Sequence, residues 1–342
     1  MNRPSSSPQP QTTMGPEAIH QLYFAFAPSY VLAAAVQLDL FSRIAAAGGT
    51  AAEVAQAGQL SPRGVGMLLD LLAALGLLVK TGQSFELTDS ADRFLVRQSP
   101  DYIGVTLEHE PPWNSWSHLV ETIRTGKPYW RLEQQDTGQS FFPLLVRNLH
   151  VVNREPARRA AQVLGAGATH SSLSVIDIAC GSGVWGIAIA ECDRRARITA
   201  QDFPGMLDIT RQYLKQHQVE DRYDFLPGDL KEVEFGRQRF DLALLGNIVH
   251  SEGESSSRRL FQRLSEALRP GARIAIIDMV PNDERTGPVF PLIFALHMLV
   301  NTRDGGTFTF AEYDQWLKEA GFSRVQTADI GSHSPMIIGT KE

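Results

Sequence analysis

Residues 175–186, VIDIACGSGVWG, constrain this chain more than any other stretch. A short apolar run reads as a strand, and Gly181, Gly183 and Gly186 follow it in G-x-G-x-x-G spacing ahead of an apolar helical pattern. Glycine lets the backbone turn sharply and approach a ligand closely, and the helix start offers unpaired N–H groups. The alternation then repeats. RITAQD reads as a strand, residues 206–218 as a helix, RYDFLPGD as a strand and turn, and FDLALLGNIV as a buried strand. SSSRRLFQRLSEAL reads as a helix ended by Pro270 and Gly271, and ARIAIIDMV as a further strand. Short apolar strands separated by helices of about a dozen residues make a parallel, doubly wound sheet. SRVQTADI and MIIGTK close the chain as two strands on a short link, which must run antiparallel. The fold expected is α/β, with a Rossmann-like, mostly parallel sheet and an antiparallel C-terminal strand over residues 166–342.

The glycine spacing alone is shared with dinucleotide-binding proteins. Two carboxylates narrow the choice. Asp202 ends the second strand, 21 residues after Gly181, where an acid accepts from ribose hydroxyls. Asp177 lies inside the first strand, four residues before Gly181. It would repel a pyrophosphate and attract a cofactor carrying an ammonium and a sulfonium. Asp177 therefore favours a methionine-derived cofactor over a dinucleotide, unless it only orients the turn by hydrogen bonds.

The N-terminal half is built differently. Residues 1–16, rich in Pro, Ser and Gln, read as a disordered tail without the apolar centre of a secretory signal. Residues 18–47 carry Ile19, Leu22, Tyr23, Phe26, Val31, Leu32, Val36, Leu38, Leu40, Phe41 and Ile44, broken at Pro28. That is too apolar for one solvated stripe, so the rest of the domain or a partner chain must cover a second surface. Thr50 and Ser61 cap two further helices, and VKTGQSFELT reads as a hairpin turning at Gly82. Helix, helix, hairpin over residues 17–100 is an all-helical winged-helix domain with the hairpin as its wing. Nucleic acid is not its expected partner. The would-be recognition helix offers one cation, Arg63, near Asp70, the net charge is −6, and phosphate contacts need several Lys or Arg.

Residues 101–165 read as a helical linker that doubles as a pocket wall. They concentrate His109, Trp113, Trp116, His118, Tyr129, Trp130, Phe141, Phe142, Arg147, His150 and Arg154. Aromatic rings with a few polar tips suit a small-molecule site, although the same residues would serve as core anchors. Two cysteines make no disulfide framework and suggest a reducing cytoplasm. No apolar run is read as reaching the roughly 20 residues that span a bilayer. No Cys/His spacing fits a metal site.

The chain resembles the class I S-adenosylmethionine-dependent methyltransferases. Within them it is most similar to the small-molecule O-methyltransferases with an N-terminal winged-helix dimerisation domain. The resemblance covers residues 18–342 and rests on VIDIACGSGVWGIAIA, TAQDF, PGDL, LLGNIVH, ALRPGARIAIIDMVP and FTFAEYDQWLKEAGFSRVQ. It implies S-adenosyl-L-methionine as cofactor, lined by Gly181, Gly183, Asp202, Phe203, Asp229, Leu230 and Asn247, with Asp177 beside them. It also implies a homodimer through the first domain.

Methyl transfer to a hydroxyl needs a positioned acceptor and gains from a base, most often His. His250 ends the fourth strand at the carboxyl edge of the sheet, and the resemblance makes it the base. The family's His-Asp-Trp triplet reads His250-Ser251-Glu252 here. Asp278 is the counterpart of one helper acid, and a second, due near Thr307, is missing. Either His250 is a base steadied by Asp278, or the acceptor is an already nucleophilic thiolate, thioether, amine or carboxylate. Trp113, Trp116, Arg147, His150, His297 and Asn301 are the acceptor-pocket candidates, joined by His109 and Asn153. His297 and Asn301 share a helix face, and Arg147 or Arg154 suits a carboxylate. Two other classes stay open from the residues alone: an NAD-dependent oxidoreductase, and a regulator that binds cofactor without turnover.

Overall fold

A computed structural model describes residues 14–109, 113–130, 135–168, 172–333 and 335–342, with backbone alone for 109 and 135–141. Most of the expected tail, and the side chains of His109 and Phe141, lie outside the described residues. The chain divides into two compact units, Met1–His109 and Glu110–Glu342.

The first unit holds helices α1 (Pro16–Phe24), α2 (Ala27–Gln37), α3 (Leu40–Ala47), α4 (Ala51–Gly58) and α5 (Pro62–Ala74). Strands β1 (Leu78–Thr81) and β2 (Ser84–Leu87) follow, then α6 (Asp89–Leu95) and α7 (Val105–His109). Local chemistry sets these boundaries. Thr50 and Glu53 form a reciprocal capping box on α4, and Ser61 accepts from the Gly64 N–H at the start of α5. β1 and β2 pair antiparallel as the expected wing. Pro28 sits in the first turn of α2, where its missing N–H costs nothing. Leu40, Phe41, Ile44, Leu69, Leu72, Leu78 and Phe85 form the core. Helix α1 buries no residue, and Ile19, Leu22, Tyr23, Phe24, Phe26 and Tyr30 are exposed. One reading is corrected here: the 22-residue stretch Pro16–Gln37 contains an 18-residue window of mean hydropathy 1.3, enough to cross a bilayer by length and composition. A turn at Ala25 and Phe26 divides it.

The second unit opens with α8 (Trp113–Trp116), α9 (Leu119–Thr125) and the long α10 (Gln135–Val163). The alternating region follows: β3 (Ser174–Ile178), α11 (Val184–Cys192), β4 (Arg197–Asp202), α12 (Pro204–Gln216), β5 (Tyr223–Pro227), β6 (Phe240–Gly246), α13 (Val249–Ala267) and β7 (Leu268–Ile277). It ends with α14 (Val289–Asn301), α15 (Phe310–Glu319), β8 (Phe322–Ala328) and β9 (Met336–Lys341). The seven strands run β5-β4-β3-β6-β7-β9-β8, with only β9 antiparallel to its neighbours. The order reverses between β3 and β6, and open α/β sheets bind ligands at that point, beyond the strand carboxyl ends. Helices cover both faces, so β3 and β6 are buried on both sides.

Two local departures shape this carboxyl edge. The helix expected over 255–268 does stop at Ala267, just before Pro270 and Gly271, and those two residues lie inside β7, where the register with β6 shifts between Phe240 and Leu242. A bulge tolerates a proline that donates no ladder bond. Helix α13 starts eleven residues' length before the Leu260 layer and kinks at Gly253, where φ is +74°. A Cβ there would stand 2.4 Å from the Asp304 carbonyl oxygen, so only glycine admits the 304–306 loop. The Gly306 N–H then donates to the His250 carbonyl at 2.8 Å.

Asp177 departs from the electrostatic expectation. It is fully buried in β3, and its Oδ2 accepts from the Gly186 N–H of α11 at 3.1 Å. Burial raises its pKa to about 8, against the Gly186 hydrogen bond and with help from the Asp202 charge. The carboxyl lies beneath the helix and is mostly neutral at pH 7, so it does not give the bend a negative lining. Its folded pKa exceeds the unfolded one, so its stabilising contribution is full below about pH 4 and fades as pH rises toward 8. Asn cannot ionise. Relative to Asp177→Asn, the cofactor-free wild type is expected to lose on the order of 3 kcal/mol between pH 5 and 8 in denaturant unfolding. Parallel stability profiles would contradict this placement of the proton.

Candidate active site

The first half of the site is the bend after β3. Ala179, Gly181 and Gly183 have φ of +48°, +55° and +76°. The positive φ favours glycine, and space is tight as well: a Cβ would stand 3.2 Å from the Val146 side chain at 181 and 3.0 Å from the Thr210 side chain at 183. The next strand holds the bend in place. Asp202 Oδ2 accepts from the Gly181 N–H at 2.8 Å, and its Oδ1 from the Phe203 N–H at 2.7 Å. Gln201 accepts from the Ala179 N–H and donates to the Gly228 carbonyl. The Thr210 hydroxyl donates to the Gly181 carbonyl at 2.7 Å.

Burial raises the Asp202 pKa to about 6, while the two N–H donors hold it down. Asp202 is therefore ionised at neutral pH. Each of its oxygens keeps a lone pair for a ligand hydroxyl. Phe203 is half exposed, and Leu230 is buried. Asp229 Oδ1 accepts from the Lys231 N–H. Asn247, at φ +58°, leaves a buried Oδ1 without a partner among the described residues. An anionic acceptor, two apolar surfaces and an orphaned amide oxygen fit the ribose and base of an adenosyl group.

Two of the expected acceptor-pocket residues, His150 and Arg147, lie beside this bend. His150 Nδ1 is 3.0 Å from Ser182 Oγ inside the bend, and its ring stacks on Tyr213 at 3.8 Å. Arg147 is exposed, and its charge acts on the Tyr213 hydroxyl. His150 lies one turn beyond Val146 on α10, which packs over the bend, whereas Arg147 follows Val146 and points to solvent.

The second half follows β6 and β7. His250 Nδ1 is 2.6 Å from Asp278 Oδ1. Asp278 also accepts from the His250 and Met279 N–H groups, at 2.9 and 2.8 Å, and from the Tyr313 hydroxyl at 3.0 Å. Burial and the Asp278 charge hold the Tyr313 hydroxyl well above its ordinary pKa, so it donates. The His250 ring meets Phe294 edge-on at 4.9 Å. Phe294 lies 5.7 Å from His297, whose Nδ1 is 3.0 Å from Trp116 Nε1. Asn301 Nδ2 reaches the His297 carbonyl at 2.8 Å and its Nδ1 at 3.2 Å. Burial, then the nearby His250, lowers the His297 pKa to about 4.

The structure thus gathers His250, Asp278, Trp116, His297 and Asn301. Trp113 opens the same short helix as Trp116. Glu252, in the altered triplet, pairs with Lys231 and accepts from Ser256. Thr307 is buried with its hydroxyl unpartnered among the described residues. Sequence reasoning missed Phe294 and Tyr313. Phe294 was findable, three residues before His297 on one helix face. Tyr313 reaches Asp278 from 35 residues away, and no local pattern announces it. Among the described residues, no group of three or more His, Cys, Asp or Glu could hold a metal ion.

Comparison with known proteins agrees with this geometry. Residues 116–323 match the O-methyltransferase domain family, and residues 20–97 match the O-methyltransferase dimerisation domain. The chain is 29% identical to the tetracenomycin polyketide synthesis 8-O-methyl transferase of Streptomyces glaucescens, over 96% of this chain and 97% of that one. It superimposes on an O-methyltransferase family protein from Burkholderia thailandensis with a TM-score of 0.82 at 27% identity, covering 96% and 98% of the two chains. Human N-acetylserotonin methyltransferase, solved with S-adenosylmethionine, shares the fold at a TM-score of 0.81 and 23% identity, covering 96% and 99%. The chain therefore belongs to the O-methyltransferase family and is an S-adenosylmethionine-dependent, small-molecule O-methyltransferase.

Proposed function

We propose that the enzyme methylates a hydroxyl on a small aromatic acceptor, with His250 as general base, as a homodimer joined through its N-terminal domain. The observation that carries this is the 2.6 Å contact between His250 Nδ1 and Asp278. A carboxylate that already accepts two N–H bonds and a tyrosine hydroxyl takes the Nδ1 proton as well, so the lone pair sits on Nε2. Nε2 can then receive the proton of an acceptor hydroxyl, and Asp278 stabilises the imidazolium that forms. When bound, the cofactor supplies an electrophilic methyl group on a sulfonium. Asp202 would accept from its ribose hydroxyls, while Gly181, Gly183, Phe203, Asp229, Leu230 and Asn247 shape the surrounding surface. Asp177 acts on the bend from beneath, through Gly186. His150 and Arg147 brace the cofactor side.

Trp113, Trp116, Phe294, His297 and Asn301 line the acceptor chamber in this reading. Rings of this kind suit a planar acceptor, and the Streptomyces relative is named for polyketide synthesis. The division into a dimerisation domain over 17–100, a pocket segment over 101–165 and a cofactor domain over 166–342 is part of the proposal. Exposed apolar residues on α1 and α2 favour a second copy as their cover, rather than nucleic acid or a membrane. The unpaired Cys180 and Cys192 fit a cytoplasmic enzyme.

Three outcomes follow. His250→Ala is expected to cut kcat about 10²–10⁴-fold on a phenolic acceptor; a loss below about tenfold would favour methylation by proximity alone. Asp202→Ala is expected to weaken S-adenosylhomocysteine binding by about 1–3 kcal/mol in calorimetry, and an unchanged affinity would remove the residue from the site. Leu22→Glu with Phe26→Glu is expected to halve the mass seen by light scattering, and an intact dimer would place the interface elsewhere.

A further inference from the structure

The two histidines of the acceptor chamber are held as opposite tautomers. An indole N–H only donates, so the 3.0 Å contact from Trp116 Nε1 makes His297 Nδ1 an acceptor. Asn301 Nδ2 approaches the same nitrogen at 3.2 Å and is anchored by the His297 carbonyl. The ring proton of the neutral imidazole must then sit on Nε2. Among the described residues His297 Nε2 has no hydrogen-bond partner, and it is not among the fully buried polar atoms. His250 is the reverse case, with its proton on Nδ1 toward Asp278 and a lone pair on Nε2. Phe294 contacts both rings, at 4.9 Å from one and 5.7 Å from the other.

We propose that His297 is a specificity-determining donor: its Nε2–H binds a second oxygen, a ketone or quinone carbonyl, on the same aromatic scaffold as the hydroxyl that faces His250. The substrate class is then a hydroxyaryl ketone or quinone rather than a simple phenol. This rests on the reading of His250 as the base. A lone pair on one imidazole and an N–H on the other, both rings in contact with Phe294, match a hydroxyl and a carbonyl on one planar molecule. A simple phenol would leave the half-buried N–H without an acceptor, which selects against it. Trp116 and Asn301 are positioning residues, because they fix which nitrogen carries the proton. The low pKa of His297 keeps the ring neutral through the physiological range, so the donor and its tautomer persist there.

The test reads binding to the full-length enzyme loaded with S-adenosylhomocysteine. The probes are hydroxytetralones and the tetrahydronaphthols that lack only the ketone. At least one hydroxytetralone is expected to bind about tenfold or more tighter than its ketone-free partner. His297→Phe is expected to bring that ratio to within about threefold of unity. His297→Gln, which keeps an N–H donor, retains more of the preference, and Trp116→Phe weakens it by releasing Nδ1. Nitrogen NMR at neutral pH is expected to show His297 with a bare Nδ1 and a protonated Nε2. No ketone preference in the wild type, including no binding at all, overturns the inference. So does an equal loss in His297→Phe and His297→Gln, or the opposite tautomer. Because the readout is binding, a preference lost in His297→Phe supports the inference whatever His250→Ala does to turnover. A missing preference overturns it even where His250 proves to be the base.

Discussion

A single carboxylate at the end of β4 holds the bend that follows β3. Asp202 accepts from the Gly181 N–H at 2.8 Å and from its neighbour Phe203 at 2.7 Å. The same group therefore fixes the bend and supplies the charge at its mouth. Its influence reaches inward too. The Asp202 charge helps burial to keep the Asp177 carboxyl protonated beneath α11. Two acids so close in a low-dielectric interior do not both ionise readily, and the one with more N–H donors keeps the charge. Asp202, with two N–H donors, keeps its charge at the sheet edge, while Asp177 works as a mostly neutral brace for the helix.

The second half of the site uses the same device on imidazoles. Partners that can only accept or only donate decide where each ring proton lies. Asp278 holds the His250 proton on Nδ1, and Trp116 keeps the His297 Nδ1 bare. The kink at Gly253 brings the 304–306 loop onto the His250 carbonyl, so His250 is located by backbone as well as side chain. Neighbours in sequence are not required for any of this. Asp278 reaches His250 from the end of β7, and Tyr313 reaches Asp278 from α15.

Much of the architecture was legible because the physics was local. Apolar runs separated by helical spacing gave β3, β4, β5 and β6, and Thr50 and Ser61 marked helix starts that the capping bonds occupy. Pro270 and Gly271 marked the end of α13 to within a residue, but the bulge they make in β7 depends on pairing with β6 and was not legible. The direction of Asp177 was hidden because β3 is buried on both faces, which removes the alternation that would tell one face from the other. His150 and Arg147 were credited to the acceptor pocket on residue type alone. Only the course of α10 over the bend puts His150 against Ser182. His250, His297 and Asn301 were singled out from sequence, but their tautomers depend on Asp278 and Trp116, contacts that close over 28 and 181 residues.

The central claim is that Asp202 and the glycine bend seat the methyl donor so that its sulfur opens toward His250. A crystal structure with S-adenosylhomocysteine tests this most directly. The account predicts both ribose hydroxyls on the Asp202 carboxylate and the thioether sulfur exposed to a chamber walled by His250, Phe294 and His297. A ribose bound elsewhere, or a sulfur screened from His250, would contradict it.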